Sequence, residues 1–254
     1  MSNVYEYHFN PNERFGTYCY SPQTRQEKKA GRLFLIGQAK KEILDAIANE
    51  IERGFYSADP ITEDPFQVGL NLANNFIAQN PDQSLGIVFG ALCLQHPYNV
   101  KLSKIGDVKM LLLRGADVFD MGRGLQDGSA SFPNFIEGAL QKKDKILLLT
   151  KEVFDVFIKE KLLEELSGLK TKKEIKRFFK EKKSVLKELS GCLIISIVKK
   201  TPWPLFAKKE KLGRADLPQT GKGRPSLPPA GKAERAIISF LLLIILLLLG
   251  YLIF

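Results

Sequence analysis

VKLSKIGDVKMLLLRGADVFDM, residues 100–121, carries three extended runs in close succession. The runs 99–105, 108–114 and 116–120 are apolar and extended in character, and Gly106-Asp107 and Arg114-Gly115 punctuate them as turns. Consecutive strands with short connections belong to an antiparallel sheet. Just upstream, 85–94 (LGIVFGALCL) reads as another strand. Downstream, 121–131 (MGRGLQDGSAS) is rich in glycine without the order of a nucleotide-binding loop, so it predicts a mobile loop. Residues 132–140 and 145–150 (KILLLT) resume strand character.

Helical spacing flanks this block on both sides. In 42–53, Ile43, Leu44, Ile47 and Ile51 share one face. Asp64 fits an N-cap and Pro65 the first helical position, and Phe66, Leu70, Ala73 and Ile77 keep the period to Asn80. Helices are predicted again over 152–159, 160–169 and 171–189. In the last, Ile175, Phe178, Phe179, Val185, Leu186 and Leu189 make the inward stripe and lysines the opposite face, a solvated surface or one suited to a membrane. Strands at 4–9, 15–20 and 32–37 open the chain, and 192–198 closes the body. Strands clustered in this order predict an α+β body of antiparallel sheets with helices outside, not a βαβ repeat.

The order and three local stretches resemble the metal-dependent protein phosphatases of PPM type, over roughly residues 4–198. Residues 100–121 are similar to that family's strand pair around Gly-Asp-Ser-Arg, with Ile105-Gly106-Asp107 at the turn. Residues 135–157 (FIEGALQKKDKILLLTKEVFDVF) are similar to its Gly-Asp-x-hydrophobic run leading into Ser/Thr-Asp-Gly. The helix over 64–80 is similar to its second helix, ending near Asn74 or Asn75. The resemblance implies two stacked antiparallel sheets flanked by helices. It also implies a pair of divalent cations, manganese or magnesium, held by aspartates around a nucleophilic water.

The departures fall on those aspartates. Where the family has Asp-Gly after a hydrophobic strand, this chain has Ile36-Gly37-Gln38. Where it has Ser/Thr-Asp-Gly, the chain has Thr150-Lys151-Glu152, and where it has Asp-Asn, Ser190-Gly191. Only Arg14 and Arg25 lie near its early Arg and Asp. Asp107 and Asp144 are the remaining metal-ligand candidates, and both read better as turn formers. The resemblance thus implies a phosphatase-like domain without catalysis and without a cofactor, acting as a binding or scaffolding module for another protein. The alternative is an active serine/threonine phosphatase with displaced ligands for Mn or Mg.

Composition bounds the rest. The 254 residues are 44% hydrophobic, enough for a core without staples. Three cysteines, Cys19, Cys93 and Cys192, form no disulfide framework and suit a reducing compartment. The first residues show no signal peptide. The net charge of +10 concentrates in 171–189 and 199–235, leaving the remainder slightly acidic. Aromatics do not interleave with basic residues on strands, which argues against nucleic acid. His8 and His96 have no triad or zinc partners in the sequence.

Residues 199–235 form a basic Pro/Gly-rich linker with six prolines, expected to be extended and flexible. It contains Trp203 and Leu217-Pro218-Gln219-Thr220-Gly221, a match to a sortase pattern without the secretion signal or basic stop that sorting needs. Residues 236–254 (AIISFLLLIILLLLGYLIF) carry no charge over nineteen positions. A helix of that length spans about 28 Å, close to a bilayer's hydrocarbon thickness. Lys232 and Arg235 flank it on the N-terminal side, so the positive-inside rule keeps the 1–198 domain cytoplasmic. The expectation is a single-pass membrane protein, either tail-anchored or continuing into an outer domain.

Overall fold

The computed structural model describes residues 2–10, 14–24, 27–95, 98–125 and 130–197. The expectations for 199–235 and 236–254, with Lys232 and Arg235, and for Arg25, His96 and Trp203, lie outside the described residues. Among the described residues no helix is long and apolar enough to cross a membrane.

Among the described residues ten strands form two five-stranded sheets. The first holds β1 (Ser2–His8), β10 (Gly191–Ile197), β9 (Lys145–Thr150), β6 (Val108–Arg114) and β7 (Asp117–Asp120), in that spatial order. The second holds β2 (Phe15–Tyr20), β3 (Arg32–Gln38), β4 (Val88–Gln95), β5 (Asn99–Ile105) and β8 (Ile136–Ala139). Every pairing is antiparallel.

The central strands are apolar on both faces because both faces are covered. In β9, Ile146 and Leu148 join Phe34, Ile36, Met110, Leu193 and Ile195 in a cluster between the sheets. Leu147 and Leu149 point the other way, into a cluster with Phe157, Leu166 and Phe178. β3 divides likewise: Phe34 and Ile36 inward, Leu33 and Leu35 outward. Each such fully buried side chain contributes roughly 1.5–3 kcal/mol. Polarity alternation cannot set the register of strands buried on both sides, so the turns must. Gly106 and Gly115 do this at φ 68° and 64°, a region open to glycine and closed to most side chains.

Helices α2 (Lys41–Ser57) and α3 (Pro65–Gln79) cover the second sheet, with Ile47, Ile51, Phe55, Phe66 and Leu70 against Leu33, Leu35, Ala91 and Cys93. Asp64 caps α3: its Oδ1 accepts from Phe66 N at 3.0 Å, and Pro65 takes the first helical turn. α2 and α3 cross where Gly54 meets Gly69. A Cβ on Gly54 would lie 2.8 Å from Gly69 Cα, and one on Gly69 would lie 2.7 Å from the Ile51 carbonyl. The first sheet is covered by α4 (Lys151–Lys159), α5 (Leu162–Gly168), α6 (Lys172–Glu181) and α7 (Lys183–Leu186). A single turn, α1 (Glu27–Ala30), precedes β3.

Three expectations shift. The helix over 171–189 breaks at Lys182, which caps α6 by donating its N–H to Phe178 O at 2.9 Å. The break turns Leu186 into the core and leaves Val185 41% exposed, so Val185 is not part of the buried stripe. The strand over 132–140 shrinks to β8, because Asn74 of α3 brackets the Phe132 backbone. Its Nδ2 donates to Phe132 O at 3.0 Å and its Oδ1 accepts from Phe132 N at 2.7 Å. The strand over 85–94 begins only at Val88, after Gly86 at φ 73°.

The glycine crossing yields a test. Gly69→Ala forces α2 and α3 apart and is expected to cost about 1–3 kcal/mol. Urea denaturation should show a lower midpoint at unchanged slope.

Candidate functional site

The strand ends are the places where polar groups meet a fold otherwise apolar at its middle. At one end, Phe15 pairs with Gln38 across β2 and β3, and its ring lies against Gly191 at the start of β10. A Cβ on Gly191 would fall 2.4 Å from both that ring and the Tyr7 carbonyl, so only glycine fits. Next to Gly191, Ser190 Oγ shares a 3.0 Å buried hydrogen bond with Thr150 Oγ1, the last residue of β9. Gly37 is equally confined: a Cβ there would sit 2.6 Å from Leu44 and from Phe89. The three positions Gly37, Thr150-Lys151 and Ser190-Gly191 therefore carry little side-chain oxygen, and what they carry is internally bonded.

Two ion pairs bring charge to this end. Lys151, first in α4, pairs with Asp155 one turn on, and Asp107 at the β5–β6 turn pairs with Lys109 at 2.7 Å. The hydrogen bond to Asp155 and that carboxylate's charge hold the Lys151 ammonium above its ordinary pKa, with Asp107 adding and Lys109 opposing. Lys151 is thus a firm cation beside Asp107, and each carboxylate already has a lysine.

Asp144 lies elsewhere. It precedes β9, whose six residues separate it from Thr150 by about 20 Å. It is 2% exposed and accepts two hydrogen bonds from Arg114, from Nε at 3.1 Å and Nη2 at 2.7 Å, and a third from Gln141 N at 2.6 Å. The same contact raises the Arg114 pKa. The structure does not bring Asp107 and Asp144 together. Asp107 sits in a tight turn and Asp144 locks the entry to a strand.

Among the described residues no group of three or more His, Cys, Asp or Glu side chains could hold a metal ion. A pair of dications needs clustered anionic oxygen. Two bonded hydroxyls, two lysine-paired carboxylates and an ammonium do not fit that need. His8 is tied to Thr17, Nε2 to Oγ1 at 3.1 Å, and Thr17 donates in turn to Glu6 at 3.0 Å. Burial holds the Cys93 and Cys192 thiols far above their usual range, and burial with Glu6 does so for Cys19. None of the three is an activated nucleophile.

Sequence reading missed the Thr150–Ser190 pair, forty positions apart, for which no local signal exists. It also passed over Lys151–Asp155, although i,i+4 spacing of opposite charges on a helix is a readable sign. Lys145, a buried lysine, donates to the carbonyls of Leu166 and Ser167 at 3.2 and 2.6 Å and so caps the end of α5. Burial lowers its pKa.

No family model matches the sequence, and no curated protein is significantly similar to it. Solved structures are similar in fold. The serine/threonine phosphatase PstP/Ppp of Mycobacterium tuberculosis aligns over 79% of this chain and 99% of its own, at 13% identity and TM-score 0.54. PppA, a regulatory component of T6SS in Pseudomonas aeruginosa, aligns over 78% and 97%, at 13% identity and TM-score 0.54. The catalytic domain of PstP in complex with 2 manganese ions aligns over 78% and 98%, at 13% identity and TM-score 0.52. These likenesses show that the two-sheet body has the PPM-type phosphatase fold.

Two outcomes follow for the site. Asp144→Asn removes the charge from a buried carboxylate that Arg114 and Gln141 hold and should lower stability by about 1–3 kcal/mol, whereas Asp107→Asn at the half-exposed turn should cost about 1 kcal/mol or less. Chemical denaturation compares them. With the three thiol pKa values raised, the thiolate fraction at pH 8 falls below that of a free cysteine. A chromogenic disulfide reagent should therefore titrate the cysteines only after unfolding in guanidinium.

Proposed function

We propose that this chain is a membrane-tethered, phosphatase-like module that binds or scaffolds another protein and does not hydrolyse phosphate esters. The observation that carries the reading is Lys151 paired with Asp155 at the position where the resemblance to PPM phosphatases places a metal-binding aspartate. A cation there repels a dication where a phosphatase of this type would attract one. The tether rests on the uncharged run 236–254 and on Lys232 and Arg235 before it. It keeps the body at high local concentration near membrane partners, on the cytoplasmic side.

The rival reading is an active Mn- or Mg-dependent serine/threonine phosphatase with displaced ligands. Its candidates, Asp107 and Asp144, stand at opposite ends of the sandwich and are both paired with cations. The full chain in uncharged detergent, given para-nitrophenyl phosphate, should show no manganese-dependent hydrolysis. Manganese-dependent turnover that disappears in Asp107→Ala would establish the rival. For the tether, the full chain should resist alkaline carbonate extraction from membranes, and deletion of 236–254 should release it.

A further inference from the structure

On the outer face of the first sheet, where β1 runs out against α6 and α7, a cavity of about 230 Å³ opens to solvent. Its wall is aromatic. Tyr7 and Phe179 stack with centroids 3.9 Å apart, and Phe9 lies 5.6 Å from Phe179. This follows from β1 alternation, which sends Tyr5, Tyr7 and Phe9 to the helix-covered side. Its rim is four exposed lysines: Lys176 and Lys180 one turn apart on α6, then Lys183 and Lys187 beyond the break at Lys182. Among the described residues Lys176, Lys180 and Lys183 have no carboxylate within ion-pair distance, and Lys187 meets Glu188 only at 3.8 Å. Two neighbouring cations are paired away from the hollow, Arg177 with Glu181 and the cap Lys182 with Glu165.

We infer that this cavity is a binding site for a phosphate monoester carried on a small polyol, in the form of a phospholipid headgroup or its soluble counterpart. Four ammonium groups around one hollow repel one another, and a dianion at their centre relieves that repulsion. Lysines act as point charges toward phosphate oxygens from several directions. The aromatic wall excludes water on one side and strengthens each of those interactions. It also offers an apolar face to the ring or glycerol that bears the phosphate. Burial pushes the Tyr7 pKa up to about 12, so its hydroxyl stays protonated and able to donate. The break at Lys182 is what makes the hollow, since it sets Lys183 at the start of a separate short helix and Lys187 at its end, both beside β1. The inference is independent of whether the domain hydrolyses anything. Its lipid arm alone draws on the membrane-tether reading.

The test uses the full chain in uncharged detergent micelles, with inositol trisphosphate as probe and calorimetry as readout. The wild-type chain should bind it. The variant Lys176→Gln, Lys180→Gln, Lys183→Gln should bind more than about tenfold more weakly. The control Lys170→Gln, Lys172→Gln, Lys173→Gln removes equal charge next to the cavity but not on its rim, and should lose no more than about twofold. Equal loss in both variants, or no binding by the wild-type chain, overturns the site. Dioctanoyl phosphatidylinositol bisphosphate binding through the same three lysines, and tighter than the soluble probe, makes a lipid headgroup the source. Equal affinity for the two supports the soluble phosphate. Circular dichroism melts of both variants should match the wild-type chain, because every substituted lysine is exposed.

Discussion

Burial of β3, β9 and β10 on both faces is the constraint from which the rest of the body follows. A strand covered on one side by a partner sheet and on the other by helices has no room for a charged side chain along its middle. RLFLIGQ, KILLLT and GCLIISI satisfy that requirement residue by residue. The polar groups that do enter are matched: Asp144 to Arg114, Lys145 to the carbonyl end of α5, Thr150 to Ser190. Leaving any of these unpaired would cost more than the interaction itself contributes.

The same constraint pushes chemistry to the strand ends and outer faces. At the end where β3 and β9 finish and β10 begins, the described side chains bring a bonded pair of hydroxyls and two lysine-paired carboxylates. Glycine fills two of the three positions because neighbouring rings press against the backbone there, and the third is a lysine. Among the described charges there, Asp107 is held by Lys109 and Asp155 by Lys151. Four exposed lysines gather instead on the outer face around α6 and α7.

Much of the frame was legible in the sequence. Glycine turns bounded 99–105 and 108–114, and Asp64-Pro65 marked the start of α3, because each signal is local and chemical. What was not legible depends on distant partners. Asn74 takes Phe132 out of a strand from 58 positions away. The helix over 171–189 divides where its core contacts change direction, a demand set by the sheet beneath it. The shortage of carboxylates at Gly37, Lys151 and Ser190 could be read from residue types alone. The hydroxyl pair and the lysine rim needed the fold, since neither is contiguous in sequence.

The central claim is that among the described residues no cluster of anionic oxygen converges at the end formed by Gly37, Thr150-Lys151 and Ser190-Gly191. Anomalous diffraction at the manganese edge, from crystals of the protein grown with millimolar manganese, addresses it directly. The account predicts no anomalous peak within ligand distance of those residues. Two peaks bridged there by protein oxygens would contradict it.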